Sequence, residues 1–205
     1  MKNQKTADYY NKVYADERAF SGEPLPLVKM LAELLPAGKV FEMGAGTGRN
    51  SLFLAGKGYE VCATDISSLA VERLATKAQE NGIKLGTAVS DIAEDEITED
   101  YDAIICTYTF HHLKEEDAEL VISRMQQHTK LGGFNVITAF TKNGDFYKNN
   151  PHTTNFYLDN KEQLERLYQG WKIIRSFEKE GQARALDTEG KPQSNTFAGL
   201  LAQKI

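Results

Sequence analysis

A glycine-rich turn follows the first apolar run of the chain and is the strongest chemical signal in the sequence. The run ends at Glu42, Gly44-Ala45-Gly46-Thr47-Gly48 comes next, and a helical pattern begins at Arg49. Glycine permits positive φ and lacks the Cβ that would hold a ligand away from the backbone, and open α/β sheets bind ligands at the carboxyl ends of their strands. The turn therefore predicts a binding site for a nucleotide-like cofactor.

The spacing within this turn separates two cofactors that could use it. A dinucleotide site has the pattern Gly-x-Gly-x-x-Gly, which would require glycine at position 49, where this chain has Arg49. The carboxylate of Glu42 would repel a pyrophosphate, whereas it can attract the ammonium group of a cofactor that contains an amino acid. Both features favour S-adenosylmethionine over a nicotinamide dinucleotide.

Two further acids follow the next two predicted strands. Asp65 ends the second strand, where its carboxylate can accept hydrogen bonds from both hydroxyls of a ribose. Asp91 follows the third strand, where it can accept a hydrogen bond from an adenine amino group while Ile92 packs on the ring. Either acid alone could instead be a helix cap or a turn residue. Together with Glu42 they predict one nucleoside-containing ligand.

The segment Thr107–Leu113 follows the fourth predicted strand, beside which a methyl acceptor is expected to lie. We select His112 as the candidate general base, and the alternative interpretation is a hydrogen-bonded structural histidine. His111 and His112 make a poor metal pair, because adjacent side chains diverge and no third ligand is near in sequence. No metal is predicted.

Short β-rich apolar runs alternate with helical patterns from residue 38 onward, which indicates βα units on a parallel sheet. The polar stretch 178–195 has no helical period, so it is expected to join the last two strands as an antiparallel hairpin. The strands are predicted near 38–42, 59–64, 84–89, 102–107, 133–139, 171–177 and 195–203, with helices over 49–57, 67–81, 115–129 and 161–169.

The length of 205 residues, 41% of them hydrophobic, predicts a single domain. Residues 1–35 are expected to form two helices that cap the cofactor site, and residues 36–205 the core. The net charge of -5 disfavours a nucleic-acid partner. Without a bilayer-length apolar run or a signal-peptide pattern, a cytoplasmic monomer or homodimer with no membrane partner is expected. Cys62 and Cys106 are expected to be reduced core residues.

The chain resembles the class I S-adenosylmethionine-dependent methyltransferases through Glu42-x-Gly44-x-Gly46-x-Gly48, Asp65, Asp91 and Tyr101–Cys106. It is most similar to the tellurite-resistance methyltransferase family, as shown by the stretches 9–14, 48–59, 130–135 and 167–171. This resemblance implies an α/β, Rossmann-like doubly wound sheet of seven strands, mostly parallel with an antiparallel last strand and helices on both faces. It also implies methyl transfer from S-adenosylmethionine, with S-adenosylhomocysteine as product, to a small acceptor such as a selenium or tellurium oxyanion or a thiol.

The same resemblance assigns cofactor contacts to Arg49 and Asn50 and places Tyr14 at the methionine end of the cofactor. For the tyrosines of the first helix, the alternative interpretation is amphipathic packing. The full predicted cofactor set is Tyr14, Glu42, Gly44, Ala45, Gly46, Arg49, Asn50, Asp65, Ile66, Asp91, Ile92 and Thr107.

The predicted acceptor site departs from the family. Tellurite enzymes carry a His-Arg pair in the last hairpin and another Arg on the final strand, whereas this chain has Arg184 in the hairpin and Thr196 on the strand. Arg184 is therefore the second predicted catalytic residue, as a positive charge for an oxyanion. The segment 142–157 is interpreted either as a lid over the acceptor or as a solvated loop. The alternative function is a cofactor-binding sensor or partner without transfer activity.

Overall fold

A computed structural model describes residues 3–16, 19, 22–150, 155–186 and 190–205, and the side chains of 183–186 lie outside the described part. The helices are α1 (Gln4–Val13), α2 (Pro26–Leu34), α3 (Arg49–Gly56), α4 (Ser68–Glu80), α5 (Glu115–Gln127), α6 (Asp145–Lys148) and α7 (Lys161–Leu167), with a short 3-10 turn at Phe110–His112. The strands are β1 (Lys39–Met43), β2 (Glu60–Asp65), β3 (Gly86–Val89), β4 (Tyr101–Thr107), β5 (Thr129–Thr141), β6 (Lys172–Leu186) and β7 (Pro192–Gln203).

The strands form one seven-stranded sheet in the order β3-β2-β1-β4-β5-β7-β6. β1 pairs in parallel with β2 and with β4, and β4 pairs in parallel with β5. β7 lies between β5 and β6 and is antiparallel to both. The strand order reverses between β1 and β4, which is where ligands of doubly wound sheets bind. The predicted fold class is confirmed.

Local signals in the sequence explain where several helices begin. Ser67 precedes α4, and its Oγ accepts a hydrogen bond from the Ala70 N–H at 3.1 Å. Asn160 precedes α7, and its Oδ1 accepts from the Gln163 N–H at 3.1 Å. Pro26 occupies the first turn of α2. Backbone N–H groups there have no partner within the helix, so the N–H that proline lacks costs no hydrogen bond. These caps satisfy donors that a helix cannot satisfy internally.

Two hydrophobic clusters cover the two faces of the sheet. On one face, residues of the central strands pack against α5 and α7, including Met43, Ile104, Cys106, Ile137, Val121, Met125 and Leu164. On the other face they pack against α2 and α3, including Val40, Ala103, Ile105, Val136, Leu27, Leu31 and Leu54. Successive residues of a strand point to opposite faces, so each central strand contributes to both clusters.

The last hairpin differs from its predicted bounds. The polar stretch 178–195 was predicted as a connection, but β6 continues to Leu186 and β7 begins at Pro192. Within this stretch, Glu180 pairs with Thr196 and Gln182 pairs with Ser194. The pairing satisfies the backbone groups of both strands, so polar side chains are compatible with strand structure here. The prediction of a non-strand connection over most of 178–195 was wrong.

Cys106 is buried in the core, Cys62 is partly exposed, and both are free thiols. None of the helices in the described part of the chain combines the length and the apolar character that a bilayer crossing requires.

Candidate cofactor and acceptor site

The turn between β1 and α3 depends on glycine at three positions. Gly44, Gly46 and Gly48 have φ of +67°, +57° and +84°. A Cβ at Gly46 would lie 2.6 Å from the hydroxyl oxygen of Tyr14, and a Cβ at Gly44 would overlap the side chain of Thr109. Positive φ and close neighbours together explain why glycine occupies these positions.

A cavity of about 760 Å³ opens at the carboxyl ends of β1, β2 and β4. Its volume lies within the range of small-molecule and cofactor sites, about 300–1,000 Å³. The structure places every member of the predicted cofactor set in the lining of this cavity: Tyr14, Glu42, Gly44, Ala45, Gly46, Arg49, Asn50, Asp65, Ile66, Asp91, Ile92 and Thr107. His112 lines it as well, whereas the side chain of Arg184 lies outside the described residues.

Glu42 is a buried carboxylate in the cavity wall, with 2% of its surface exposed. It accepts a hydrogen bond from Asn50 Nδ2 at 2.8 Å and another from the hydroxyl of Ser51. Burial raises the pKa of Glu42, while these hydrogen bonds and the guanidinium of Arg49 act in the opposite direction. A buried carboxylate of this kind gains from a cationic ligand group, such as the ammonium of a methionine moiety.

Asp65 holds the glycine turn against the start of α4. Its Oδ2 accepts from the Gly46 N–H at 2.8 Å and its Oδ1 accepts from the Ser67 N–H at 2.9 Å. An ionised carboxylate has about four lone-pair sites, so each oxygen retains one for a further donor. Burial raises the pKa of Asp65, and two hydroxyl donors would counter that effect. The residue therefore fits a ribose diol.

Asp91 has an additional partner that the sequence does not reveal. The backbone N–H of Asn3 donates to Asp91 Oδ2 at 3.1 Å, and the Asn3 side-chain amide donates to Oδ1 at 3.3 Å. Further along α1, the hydroxyl of Ser67 donates to Asn11 Oδ1 at 2.7 Å. These contacts tie α1 to the cavity edge near β2 and β3, so the first helix covers this half of the cavity.

His112 is paired with a residue of α1. Its Nε2 lies 2.7 Å from the hydroxyl oxygen of Tyr10. Burial lowers the pKa of His112 to about 4, so the ring is neutral at pH 7. A histidine that already has a hydrogen-bond partner on α1 corresponds more closely to the structural alternative than to a free general base.

His111 also lines the cavity, and it was not selected from the sequence as a site residue. Its ring contacts the His112 ring at a centroid distance of 3.8 Å and meets Phe140 edge-on at 4.8 Å. Its Nδ1 is buried and has no hydrogen-bond partner among the described residues. Burial lowers the pKa of His111, and a proton on His112 would lower it further, so this ring is neutral too.

The part of the cavity beside the carboxyl ends of β4 and β5, where the acceptor is expected and which we call the acceptor half, has an aromatic wall. Tyr108, Phe140, Tyr157 and Phe197 form part of its wall. Tyr108 has φ of +56°, which is rare for a bulky residue, and its ring lies 5.9 Å from the Arg49 guanidinium. Tyr108 and Tyr157 lie in the segments 107–113 and 142–157, which the sequence analysis considered for the acceptor site, whereas Phe140 of β5 and Phe197 of β7 were not predicted.

The segment 142–157 lies beside this aromatic wall. Its side chains Phe146, Asn150, Asn155 and Tyr157 line the cavity, while residues 151–154 lie outside the described part. Gly181 and Gln182 of β6 line the cavity as well, two to three residues before Arg184 in the chain. Whether the segment closes over an acceptor stays a prediction.

Comparison with known proteins identifies the family. The model of the tellurite resistance protein TehB family matches residues 2–201. A probable S-adenosyl-L-methionine-dependent methyltransferase TehB of Haemophilus influenzae (strain 10810) is 30% identical over 98% of this chain and 67% of its own length. The crystal structure of TehB from Haemophilus influenzae superimposes with a TM-score of 0.77 at 30% identity, covering 97% of this chain and 67% of that one. The chain thus spans about two thirds of the length of these relatives.

A third match concerns the fold alone. Magnesium protoporphyrin IX methyltransferase (ChlM) from Synechocystis PCC 6803, crystallised with bound SAH, superimposes with a TM-score of 0.69 at 20% identity. That match covers 99% of this chain and 100% of the other. The family match, the TehB identity and the seven-stranded sheet agree with the resemblance that the glycine turn and the three strand-end acids indicated. The chain therefore belongs to the TehB family of S-adenosylmethionine-dependent methyltransferases.

Proposed function

We propose that this chain transfers the methyl group of S-adenosylmethionine to a small-molecule acceptor bound at the carboxyl ends of β4 and β5. The observation that carries this proposal is the convergence of Glu42, Asp65 and Asp91, from the ends of three neighbouring strands, on one cavity with the glycine turn. The cofactor, when bound, supplies a methyl group already activated on a sulfonium, so the protein's task is positioning and exclusion of water.

Each cofactor residue has a role that its contacts support. Glu42 would hold the ammonium group, and Asn50 donates to the Glu42 carboxylate through its side-chain amide. Asp65 would accept from the ribose hydroxyls and also accepts from the Gly46 N–H of the turn. Asp91 and Ile92 would flank the adenine, and Tyr14, which lies against the turn, would be at the methionine end.

The contacts of Asn3 and Asn11 support a role for α1 as a cap over the cofactor. Asn3, which directly precedes α1, donates to Asp91, and Asn11 of α1 accepts from Ser67, across the strand ends that would hold the nucleoside. We infer that α1 closes over the bound cofactor within a single domain and shields the sulfonium from water.

The acceptor is proposed to be a soft nucleophile, either a thiol or a selenium or tellurium oxyanion. A soft nucleophile needs little help from a general base, which agrees with the paired and neutral state of His112. Of the described residues that line the cavity, Arg49 is the only one with a permanent positive charge. An oxyanion would therefore depend on Arg184 as a second cation, whereas a thiol would not.

Release of S-adenosylhomocysteine tests the proposal with an acceptor panel of selenite, tellurite, aliphatic thiols and aromatic thiols. We expect product with at least one acceptor, and loss of product with Asp65→Ala. Cofactor binding by calorimetry without product from any acceptor would instead support the alternative function, a sensor or partner that binds the cofactor only. An NADH-induced rise in melting temperature without one from S-adenosylmethionine would contradict both.

A further inference from the structure

Arg49 is a permanent cation in the cavity wall, and it forms no ion pair with an acid in the described part of the chain. Its guanidinium carbon lies 5.9 Å from the centroid of the Tyr108 ring. The guanidinium is also near enough to the buried carboxylate of Glu42 to lower the pKa of that group, against the effect of burial. Because a guanidinium always carries its charge and has five N–H donors, its position in the wall suits an anionic group of a ligand.

The carboxylate of Glu42 stays available for a ligand cation in this arrangement. Its two oxygens accept from Asn50 Nδ2 at 2.8 Å and from the hydroxyl of Ser51. A carboxylate has about four lone-pair sites, so each oxygen keeps one. A guanidinium paired with Glu42 would neutralise its charge and occupy the remaining sites. The separation of Arg49 from Glu42 therefore leaves one site for a cationic group and a second site for an anionic group.

Tyr108 has a backbone conformation that presents its ring to the cavity and to Arg49. Its φ of +56° is rare for a bulky residue, and its N–H donates to the Thr138 carbonyl oxygen at 2.9 Å. Its ring packs against those of Phe197 at 5.3 Å and Phe140 at 5.6 Å. A strained conformation persists only when its surroundings determine it, and such residues cluster at functional sites. The fixed position of this ring is therefore a candidate for a role in binding.

We propose that Tyr108 is a positioning residue whose ring holds the Arg49 guanidinium apart from Glu42, so that Arg49 binds the carboxylate of the methionine moiety while Glu42 binds its ammonium group. This proposal rests on the proposed methyltransferase function and concerns the cofactor at the same site. A cation over an aromatic face is attracted by the ring quadrupole, and the attraction is stronger where water is excluded. Two contacts to the amino-acid end would fix the orientation of the cofactor in the cavity.

Two ligands isolate the carboxylate: S-adenosylhomocysteine and its decarboxylated analogue, which keeps the adenosine, the sulfur and the ammonium group. Tyr108→Leu removes the aromatic face, whereas Tyr108→Phe keeps it and removes only the hydroxyl. By calorimetry, we expect Tyr108→Leu to bind S-adenosylhomocysteine about 3- to 30-fold more weakly than the wild-type chain, and Tyr108→Phe to stay within about twofold. Both variants are expected to bind the analogue within about twofold of the wild-type value. An equal loss for both ligands in Tyr108→Leu would overturn the proposal.

Tyr157→Leu is the matched control, because Tyr157 lines the same cavity and its ring contacts are with other aromatic rings. The ratio of the two dissociation constants is expected to be the same in Tyr157→Leu as in the wild-type chain. A ratio that changes as much in this control as in Tyr108→Leu would show a general effect of losing a wall ring and would overturn the proposal.

A double-mutant cycle tests whether Tyr108 acts through Arg49. Arg49→Met is expected to bind S-adenosylhomocysteine about 10-fold or more weakly and to bind the decarboxylated analogue no more weakly than the wild-type chain. In the Arg49→Met background, Tyr108→Leu is expected to cause no further loss, because the contact it would disturb is already absent. Fully additive losses would overturn the positioning role. Unchanged affinity for S-adenosylhomocysteine in Arg49→Met, with weaker binding of selenite, would assign Arg49 to the acceptor and also overturn the proposal.

Tyr108→Asn covers the case in which Tyr108→Leu does not fold. Asparagine adopts positive φ more readily than other non-glycine residues, and this variant also lacks the ring, so the same selective loss of S-adenosylhomocysteine affinity is expected. The wild-type chain provides a test without any substitution, because the decarboxylated analogue is expected to bind about 10-fold or more weakly than S-adenosylhomocysteine. Equal affinity for the two ligands would overturn the proposal and leave the proposed function intact. Absence of binding of S-adenosylhomocysteine to the wild-type chain would instead count against the proposed function itself.

Discussion

Replacement of Asp65 by asparagine tests whether the Asp65 carboxylate binds the ribose of the cofactor. The substitution keeps the size of the side chain and removes its charge. Both carboxylate oxygens accept backbone hydrogen bonds, from Gly46 at 2.8 Å and from Ser67 at 2.9 Å. The amide introduced by Asp65→Asn can accept only through its oxygen, so its NH2 group faces one of these N–H donors and also cannot accept from a ribose hydroxyl.

The size of the effect follows from the hydrogen bonds lost. A hydrogen bond to a charged group contributes about 1.5–3 kcal/mol. Loss of one such bond to the ribose corresponds to a Kd for S-adenosylhomocysteine that is about 10- to 150-fold weaker. Isothermal titration calorimetry measures this change directly, and a thermal melt of the same samples measures the accompanying loss of stability.

Asp95→Asn is the matched control for this experiment. Asp95 has 7% of its surface exposed, as Asp65 does, and accepts from the Thr64 hydroxyl at 3.1 Å, but it does not line the cavity. We expect Asp95→Asn to lower the melting temperature and to leave the Kd within about twofold of the wild-type value. Unchanged affinity in Asp65→Asn, with both variants folded, would refute the assignment of Asp65 to the ribose.

Three other perturbations have distinct expected outcomes. Gly46→Ala places a Cβ on a residue whose φ is +57°. We expect this variant to show no measurable cofactor binding by calorimetry and to have a free energy of unfolding about 1–2 kcal/mol lower in a urea melt. Tyr168→Phe removes a buried 2.8 Å hydrogen bond to Asn135, and the same melt is expected to show a loss of about 1–3 kcal/mol, with Kd for S-adenosylhomocysteine unchanged. Burial raises the pKa of both Glu42 and Asp65, so the free protein loses stability as pH rises through the carboxyl range, whereas ligand donors favour the ionised forms. Cofactor affinity is therefore expected to fall on acidification from about pH 7.5 to about pH 5, and a pH-independent Kd would contradict this reasoning.

The cofactor half of the site could be predicted because it follows from strand geometry. Residues that end neighbouring parallel strands lie at one edge of the sheet, so Glu42, Asp65 and Asp91 had to meet once the strands were recognised. The glycine turn added a local conformational requirement that can be recognised from residue type alone. The alternation of apolar runs and helical patterns was sufficient for the parallel βα units, whereas the seven-stranded sheet with an antiparallel last strand was implied by the family resemblance.

The acceptor half could not be predicted because it depends on contacts between distant segments. His111 and His112 are adjacent, and only the backbone of the 3-10 turn decides which ring meets Tyr10 and which has an Nδ1 without a hydrogen-bond partner among the described residues. In the cofactor half, too, the contact between Asn3 and Asp91 joins residues 88 positions apart and could not be predicted. The polarity of 178–195 suggested a loop, but backbone pairing at the sheet edge makes most of it strand.

A crystal structure of the chain with S-adenosylhomocysteine would show whether this cavity holds the cofactor. We expect density for the ligand in the cavity beside the glycine turn, with the ammonium group near Glu42 and both ribose hydroxyls within hydrogen-bond distance of Asp65. Ligand density outside this cavity, or a ribose that does not contact Asp65, would contradict it.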